Sequence, residues 1–455
     1  MPNIDIVPKP KNSRPAKQPI IPMTPQFNET EGRQKRLLNT LGSDTLIIPA
    51  EIPRSAISRF LQATDFYYLS GFPEHGAVLV MDAGEVHLFI KENSQKEQVW
   101  DGFTMGIDQA GEECPADKVH HIAELEPFLS SRINGRKVHY KEVQEHPSGG
   151  LIETLLKQQN SKIVKNSEVF DAITEMRMVK SPHEIEQMRK AIQITSEAHH
   201  ACMRAGTRHR KEYQFEAEIE YVYKMHGSMH HAFGAIVAAG NHATCQHYIE
   251  NSGPVGDQDL ILVDTGALWN NYCADLTRTF PASGKFTSIQ RDLYEIVLAS
   301  EKAGVEMVAP GVCMIDIHKH SAAILIDGLK GLGLIKGDTQ QLVESAAYKE
   351  FWPGALCHSL GLDVHDVLLD GYHKGDKPLK PGMVITVEPG FYSQAFNRDI
   401  PEEYRQIGIR IEDDVLVTEN GCENLSIDTV KEVADVEAMV QSGAVAEKGP
   451  AFCSA

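Results

Sequence analysis

The sequence is short of what several function classes need. No apolar run reaches the roughly 18 residues of a membrane-spanning helix, so none is expected. Positive charge is scarce: 44 Lys and Arg stand against 63 Asp and Glu, a formal net charge of −19. That balance argues against nucleic acid as a partner and leaves basic proteins open. Cysteine is sparse, 8 in 455 residues, with no C-x-x-C and no paired spacing. Reduced thiols follow, and with them a cytoplasmic location, the mitochondrial matrix being the alternative. The first thirty residues lack the apolar core of a secretory signal and carry seven prolines, too many for an amphipathic transit helix. A flexible or extended Pro-rich arm is expected over 1–32.

What remains is an ordinary globular composition, 42% hydrophobic and 24% charged, long enough for two domains. Residues 33–172 mix short strands (TLIIPA, HGAVLVM, EVHLFI, KVHYKEV) with helical stretches such as GGLIETLLKQQ, an α/β or α+β block of its own. The next boundary is sharper. Ser181 reads as an N-cap, Pro182 as the first helical residue and Glu184 as the capping-box partner, and Ile185, Met188 and Ile192 follow at helical spacing. A second domain therefore opens at 173 and runs to 440, before a tail over 441–455. Helices are expected near 286–308 and 312–331, and strands at 235–239, 260–280, 383–388 and 407–418.

The run ILVDTGALWNNYCADLTRTF carries Asp264 and Asp275 in two otherwise apolar, β-branched strands. A solvated hairpin face is the ordinary explanation for strand acids. With Asn270-Asn271 as a two-residue turn, Trp269 pairs with Tyr272 and Asp264 falls opposite Thr277, two places from Asp275. The acids then share one face as diagonal neighbours roughly 7–8 Å apart. Ile261, Val263 and Thr265 face the other way, so neither face is cleanly polar and the hairpin should be buried on both. Three more positions interrupt apolar runs: His358, Glu388 and Glu412. Singly, each reads as a hydrogen-bonded core histidine, a strand-end glutamate or an exposed alternation. Together, hard oxygen donors with one imidazole suit divalent metals.

Read in order, VDTG, ADLTRTFP, HxxGLDVHD, TVEPG and GIRIEDD resemble the motifs of the pita-bread metallopeptidases, whose ligands run Asp, Asp, His, Glu, Glu. ATDFYYLSGFPEHGAVLV is similar to the amino-terminal domain of the aminopeptidase P and prolidase branch, so the likeness covers nearly all the chain beyond the arm. It implies an α/β (α+β) chain: a small amino-terminal domain and a pita-bread catalytic domain holding two divalent ions on Asp264, Asp275, His358, Glu388 and Glu412. Mn2+ is expected from the oxygen-rich set, with Co2+, Zn2+ or Fe2+ as substitutes. Without cations, each pair of crowded carboxylates would cost about 3–4 kcal/mol at an effective dielectric near 20. Two ions about 3.5–4 Å apart could share and acidify a bridging water.

The implied activity is cleavage between an N-terminal residue and a penultimate proline, in a homodimer or homotetramer acting on proline-containing peptides. Prolidase, a repurposed hydrolase and a protein-binding module on the same fold are the alternatives. By the same resemblance His247 and His365 handle substrate and protons, Glu388 takes the proton of the attacking water, Arg410 orients Glu412 or reads substrate charge, and Tyr392 lines the proline pocket. Trp100 reaches a neighbouring subunit's site, or else is an ordinary core aromatic; for His247 the alternative is packing near Tyr248. Two positions depart from the pattern: Gly354 stands where the family has a histidine, and Phe233 where it has a tyrosine. The pairs His120-His121, His199-His200 and His230-His231 read as surface histidines, Asp65 to Tyr68 as core, and GLKGLGLIKGD as a loop after a helix.

Overall fold

The computed structural model describes residues 27–53, 59–141, 148–208 and 210–445. Most of the proline-rich arm lies outside these residues, and the last part of the stretch assigned to it opens the helix Phe27–Leu41. Six strands form the first sheet, in the order Lys118–His121, Glu85–Ile90, Val78–Asp82, Thr45–Pro49, Lys137–Tyr140 and Lys162–Val164. Its central strands are apolar on both faces because both are covered. Leu46, Ile48, Leu79 and Met81 point into one core with Leu37, Phe66 and Ile173, while Ile47, Val78 and Val80 point into another with Leu125, Leu129 and Ile152. Asp65, Phe66 and Tyr68 are buried, as read from the sequence.

The second block begins with the expected cap. Ser181 Oγ accepts from Glu184 N at 3.2 Å, Glu184 Oε2 accepts from Ser181 N at 2.9 Å, and Pro182 opens the helix Pro182–Ala205. The helices Glu212–Met225, Ser288–Met307 and Met314–Gly331 follow, the last taking in Gly328 to Gly331 of the glycine-rich stretch that was read as loop. They pack around small antiparallel sheets that hold the polar face inward. In the hairpin, Trp269 pairs with Tyr272 across Asn270 and Asn271, both at positive φ (47° and 65°), and Asp264 pairs with Thr277. The strands Leu260–Thr265 and Leu276–Pro281 are buried along their whole length. At Gly266 the two arms come so close that a Cβ would lie 1.8 Å from the Ala274 carbonyl oxygen.

The blocks are clasped together by charge. Arg177, with its side chain 1% exposed, donates to Asp65 Oδ1 at 2.5 Å in the first block, and to Asp363 Oδ2 at 2.7 Å and Asp366 Oδ1 at 2.5 Å in the second. Lys141 reaches the other oxygen of Asp65, and Lys180 lies 3.1 Å from Asp366 Oδ2. A buried arginine is tolerable only with such partners. The segment it grips carries His365. None of the six histidines read as surface residues is exposed: five are half-buried, and His199 is fully buried, its Nε2 donating to the Leu276 carbonyl at 3.0 Å, because the helix that bears it packs directly on the hairpin.

Candidate metal centre

The acidic side chains arrive from three local devices. Asp264 and Asp275 come from the hairpin, which the Asn-Asn turn holds in a register that puts both on one face. Glu412 lies between the strands Ile407–Arg410 and Asp413–Val417, where its backbone N–H bonds the Thr277 carbonyl at 3.1 Å. Glu388 follows the strand Val384–Val387, its N–H bonding the Leu356 carbonyl at 2.9 Å. That bond and its neighbour, Thr386 N to His358 O at 3.0 Å, place His358 beside Glu388.

Donor atoms of Asp275, His358 and Glu412 all lie within 4.8 Å of one another. His358 Nδ1 donates to the Ser359 carbonyl at 3.1 Å. The bond fixes the tautomer and leaves the Nε2 lone pair facing the acids. Nε2 stands 3.4 Å from Asp275 Oδ2 and 3.6 Å from Glu388 Oε1. Asp264 has one oxygen occupied and one free. Arg410 holds Oδ2 at 2.5 Å, whereas Oδ1 is buried with no hydrogen-bond partner among the described residues. Asp414 repeats the pattern, with Oδ2 on the Asp275 backbone N–H at 3.1 Å and Oδ1 buried and orphaned.

The electrostatics point the same way. Burial pushes the Asp275 carboxyl well above its ordinary range, and the charges of Asp264, Asp414 and Glu388 push it further. Glu412 is raised well above its usual value by burial and then by Asp275, Glu388 and Asp264. Burial raises Glu388 to about 7, against the pull of His358 and Arg410. Such a cluster demands protons or cations. Two carboxylates and an imidazole lone pair gathered within 4.8 Å at Asp275, His358 and Glu412, with orphaned oxygens on Asp264 and Asp414, are a donor set that suits a divalent cation.

Comparison with known proteins agrees. The pattern of metallopeptidase family M24 matches residues 186–419, and that of the aminopeptidase P amino-terminal domain matches residues 31–140. The chain belongs to metallopeptidase family M24. It is 36% identical over 430 residues to the Xaa-Pro aminopeptidase of Escherichia coli, covering 90% of this chain and 97% of that one. It is 33% identical over 424 residues to the mitochondrial intermediate cleaving peptidase 55 of Arabidopsis thaliana, covering 92% of this chain and 83% of the relative. A solved structure of Escherichia coli aminopeptidase P in complex with substrate matches with a TM-score of 0.86 at 33% identity, over 92% of this chain and 99% of that one. The architecture is thus the two-domain one of aminopeptidase P, with the M24 pita-bread block second.

The remaining expected residues of this M24 chain fall at varied distances from the acids. His365 packs edge-on against His358, ring centroids 4.4 Å apart, and its pKa is lowered by burial and then by His358 and His247. His247 is exposed, on the loop after the helical turn Gly240–Thr244. It does not owe its place to Tyr248, which instead stacks on His242 at 4.5 Å and donates to Glu212. Glu212 is the anchor of that loop, also accepting from Ala239 N, Gly253 N and His242 Nδ1. Tyr392 is buried, its hydroxyl accepting from Arg410 Nη1 at 2.6 Å. Trp100 is not a core aromatic: on the short helix Gln95–Asp101 it is 81% exposed.

Arg410 needs the plainest correction. Its direct carboxylate partner is Asp264, and it reaches Glu412 only through Thr277, whose Oγ1 accepts from Arg410 Nε at 2.9 Å and donates to Glu412 Oε2 at 2.6 Å. Thr277, Asp414 and Arg278 were not singled out from the sequence. Arg278 lies on the opposite face of the hairpin strand, where it holds the Glu412 carbonyl at 2.6 Å and Asp413 Oδ1 at 2.6 Å. The alternation Asp275, Thr277, Thr279 was the available signal. Where the resemblance expects a tyrosine hydroxyl at Phe233, none serves Asp264; the buried Tyr223 hydroxyl bonds Thr265 Oγ1 instead, at 3.0 Å. A cavity of about 1030 Å³ opens between the blocks, with Phe60, Gln62 and Phe66 on one wall, Leu268 and Cys273 on the other, and His365 at its edge.

Proposed function

We propose that this chain is a metal-dependent Xaa-Pro aminopeptidase, removing the N-terminal residue from peptides with proline second. The observation that carries the reading is the convergence of Asp275, His358 and Glu412, with the free oxygen of Asp264 and the carboxyl of Glu388 beside them. These five residues would hold two divalent ions, Mn2+ first among them. When bound, the pair supplies Lewis acidity and lowers the pKa of water. Arg410 and Thr277 keep Asp264 and Glu412 oriented. Glu388, with a carboxyl oxygen 3.6 Å from His358 Nε2, is placed to accept the proton of the attacking water.

His365 and His247 serve the substrate's carbonyl oxygen or the departing proline nitrogen, which leaves as a secondary amine and needs a proton. Tyr392 borders the proline side of the site through its bond to Arg410. The exposure of Trp100 supports its use by a neighbouring subunit, in a homodimer or homotetramer. No helix among the described residues is long and apolar enough to cross a membrane. The cytoplasm suits the reduced cysteines.

The test is product analysis by mass spectrometry of Mn2+-reconstituted protein given an Xaa-Pro-Xaa tripeptide and an Xaa-Pro dipeptide, beside an Asp264→Ala variant. Release of the first residue from the tripeptide, lost in the variant, is expected. Cleavage of the dipeptide alone would make the chain a prolidase. Failure to cut either peptide with metals bound would refute the reading.

A further inference from the structure

Gly354 has no conformational need to be glycine: its φ is not positive, and no backbone atom crowds the space its side chain would fill. Two side-chain N–H groups border that space instead. A Cβ at this position would lie 3.1 Å from Gln246 Nε2 and 3.5 Å from Trp352 Nε1. Neither group makes a hydrogen bond to any described residue, although Trp352 is otherwise buried and stacks on His318 at 4.7 Å. Two unspent neutral donors therefore converge on one point.

That point lies between two segments that carry residues of the candidate site. Gln246 precedes His247, which is close enough to His365 to influence its charge. Gly354 lies two residues before Leu356, whose carbonyl fixes Glu388, and four before His358. The loop bearing Gln246 is itself held firmly. Gln394 Nε2 donates to the Thr244 carbonyl at 2.6 Å, and Gly408 approaches the Ala243 carbonyl so closely that a Cβ would lie 2.0 Å from its oxygen. A side chain on this loop has a fixed base and a free tip.

We propose that Gln246 is a substrate-binding residue, and that its amide N–H, with the Trp352 indole N–H beside it, holds a main-chain carbonyl oxygen of the bound peptide. The inference rests on the peptidase reading above. Neutral donors match a neutral amide carbonyl better than a terminal carboxylate, which gains more from a cation. The pair therefore favours peptides that continue past proline over free Xaa-Pro dipeptides. It also takes the place of any longer side chain at Gly354, since both cannot fill the same space.

The test compares kcat and KM for an Xaa-Pro-Xaa tripeptide in the wild type, Gln246→Leu, Gln246→Glu, and the double variant Gln246→Ala with Gly354→His. Metal content and circular dichroism establish that each protein is folded and loaded. Leucine keeps the bulk and removes the donor, so kcat/KM should fall about 10–100-fold, the size of an unpaired hydrogen-bonding group. Glutamate is close to isosteric and offers only acceptors at neutral pH, so its loss should be at least as large. The double variant restores a donor from the other side and should recover part of the rate. Folded, metal-loaded leucine and glutamate variants within twofold of the wild type would overturn the proposal while leaving the peptidase reading intact. A wild type that cuts no tripeptide would overturn both.

Discussion

Replacing Gly266 by alanine tests the geometry of the centre without touching a ligand. The added Cβ would meet the Ala274 carbonyl oxygen at 1.8 Å, its carbon at 2.8 Å and the Ala232 Cβ at 3.2 Å. Two of those atoms are backbone, so no side chain can swing away, and the arms of the hairpin must part by more than about 1.5 Å to reach van der Waals contact. Asp264 is two residues before the wedge, and Asp275 lies directly after the residue it strikes. Misplacement on that scale costs about 100-fold in rate when catalytic groups depend on it. The wedge should also cost about 1–3 kcal/mol of stability, at the upper end because the strands on either side are buried on both faces. The assay is metal stoichiometry by mass spectrometry after dialysis at limiting Mn2+, with tripeptide turnover and thermal unfolding on the same sample. A variant that retains its metal, rate and Tm would refute the claim that this close approach sets the spacing of the acids.

Three further outcomes follow from the same contacts. Thr277→Val keeps the shape but leaves Arg410 Nε and Glu412 Oε2 without their shared hydroxyl. It should cost about 1–3 kcal/mol and lower activity or metal affinity about 10–100-fold, and unchanged Mn2+ titrations and turnover would contradict the relay. Glu388 is raised from its ordinary value to about 7, so in metal-free protein its contribution to stability is present below about pH 4.5 and is lost as pH rises through about 7; Asp275 and Glu412 shift the same way. Metal-free Tm should fall between about pH 5 and pH 8, and Mn2+ should flatten the curve and release protons on binding, read by calorimetry in buffers of different ionisation enthalpy. A metal-free Tm that climbs with pH would contradict the assignment. Arg177→Met leaves buried Asp65 and Asp366 with only Lys141 and Lys180 as cations and should cost up to about 3–5 kcal/mol in denaturant unfolding, an unchanged midpoint being the refuting result.

The acids and the histidine of the candidate centre were legible because each interrupts an apolar run, and their hairpin was legible because Asn-Asn accepts the two positive φ angles of a tight turn and so fixes every pairing behind it. The capping box at Ser181 was legible for a similar local reason. The direct bond of Arg410 to Asp264 was missed because Glu412 is its neighbour in sequence. The strand breaks between them, and the guanidinium instead crosses to Asp264 on another strand, a long-range contact with no local signature. His199 was misread because its helix packs on the hairpin along that face, and burial of a polar position cannot be inferred from a polar pair. Asp414 was hidden because Asp413 beside it is also buried but turned to Arg278 and Lys431, so adjacent acids serve opposite faces of one strand.

The clasp at Arg177 bears on how such chains can be recombined. Its guanidinium sits in the helix Glu168–Met178, between the blocks, with one acidic partner near the start of the chain and two more almost two hundred residues further along. A chimera that joined the amino-terminal block of one relative to the catalytic block of another would inherit the arginine from one parent and part of its counter-charge from the other. Unless both parents agree at Asp65, Asp363 and Asp366, the graft would bury an unmatched charge against the segment that carries His365. The two blocks are therefore interchangeable only as a matched set, and the natural crossover point lies before Asp65 or after Asp366 rather than at the linker between them.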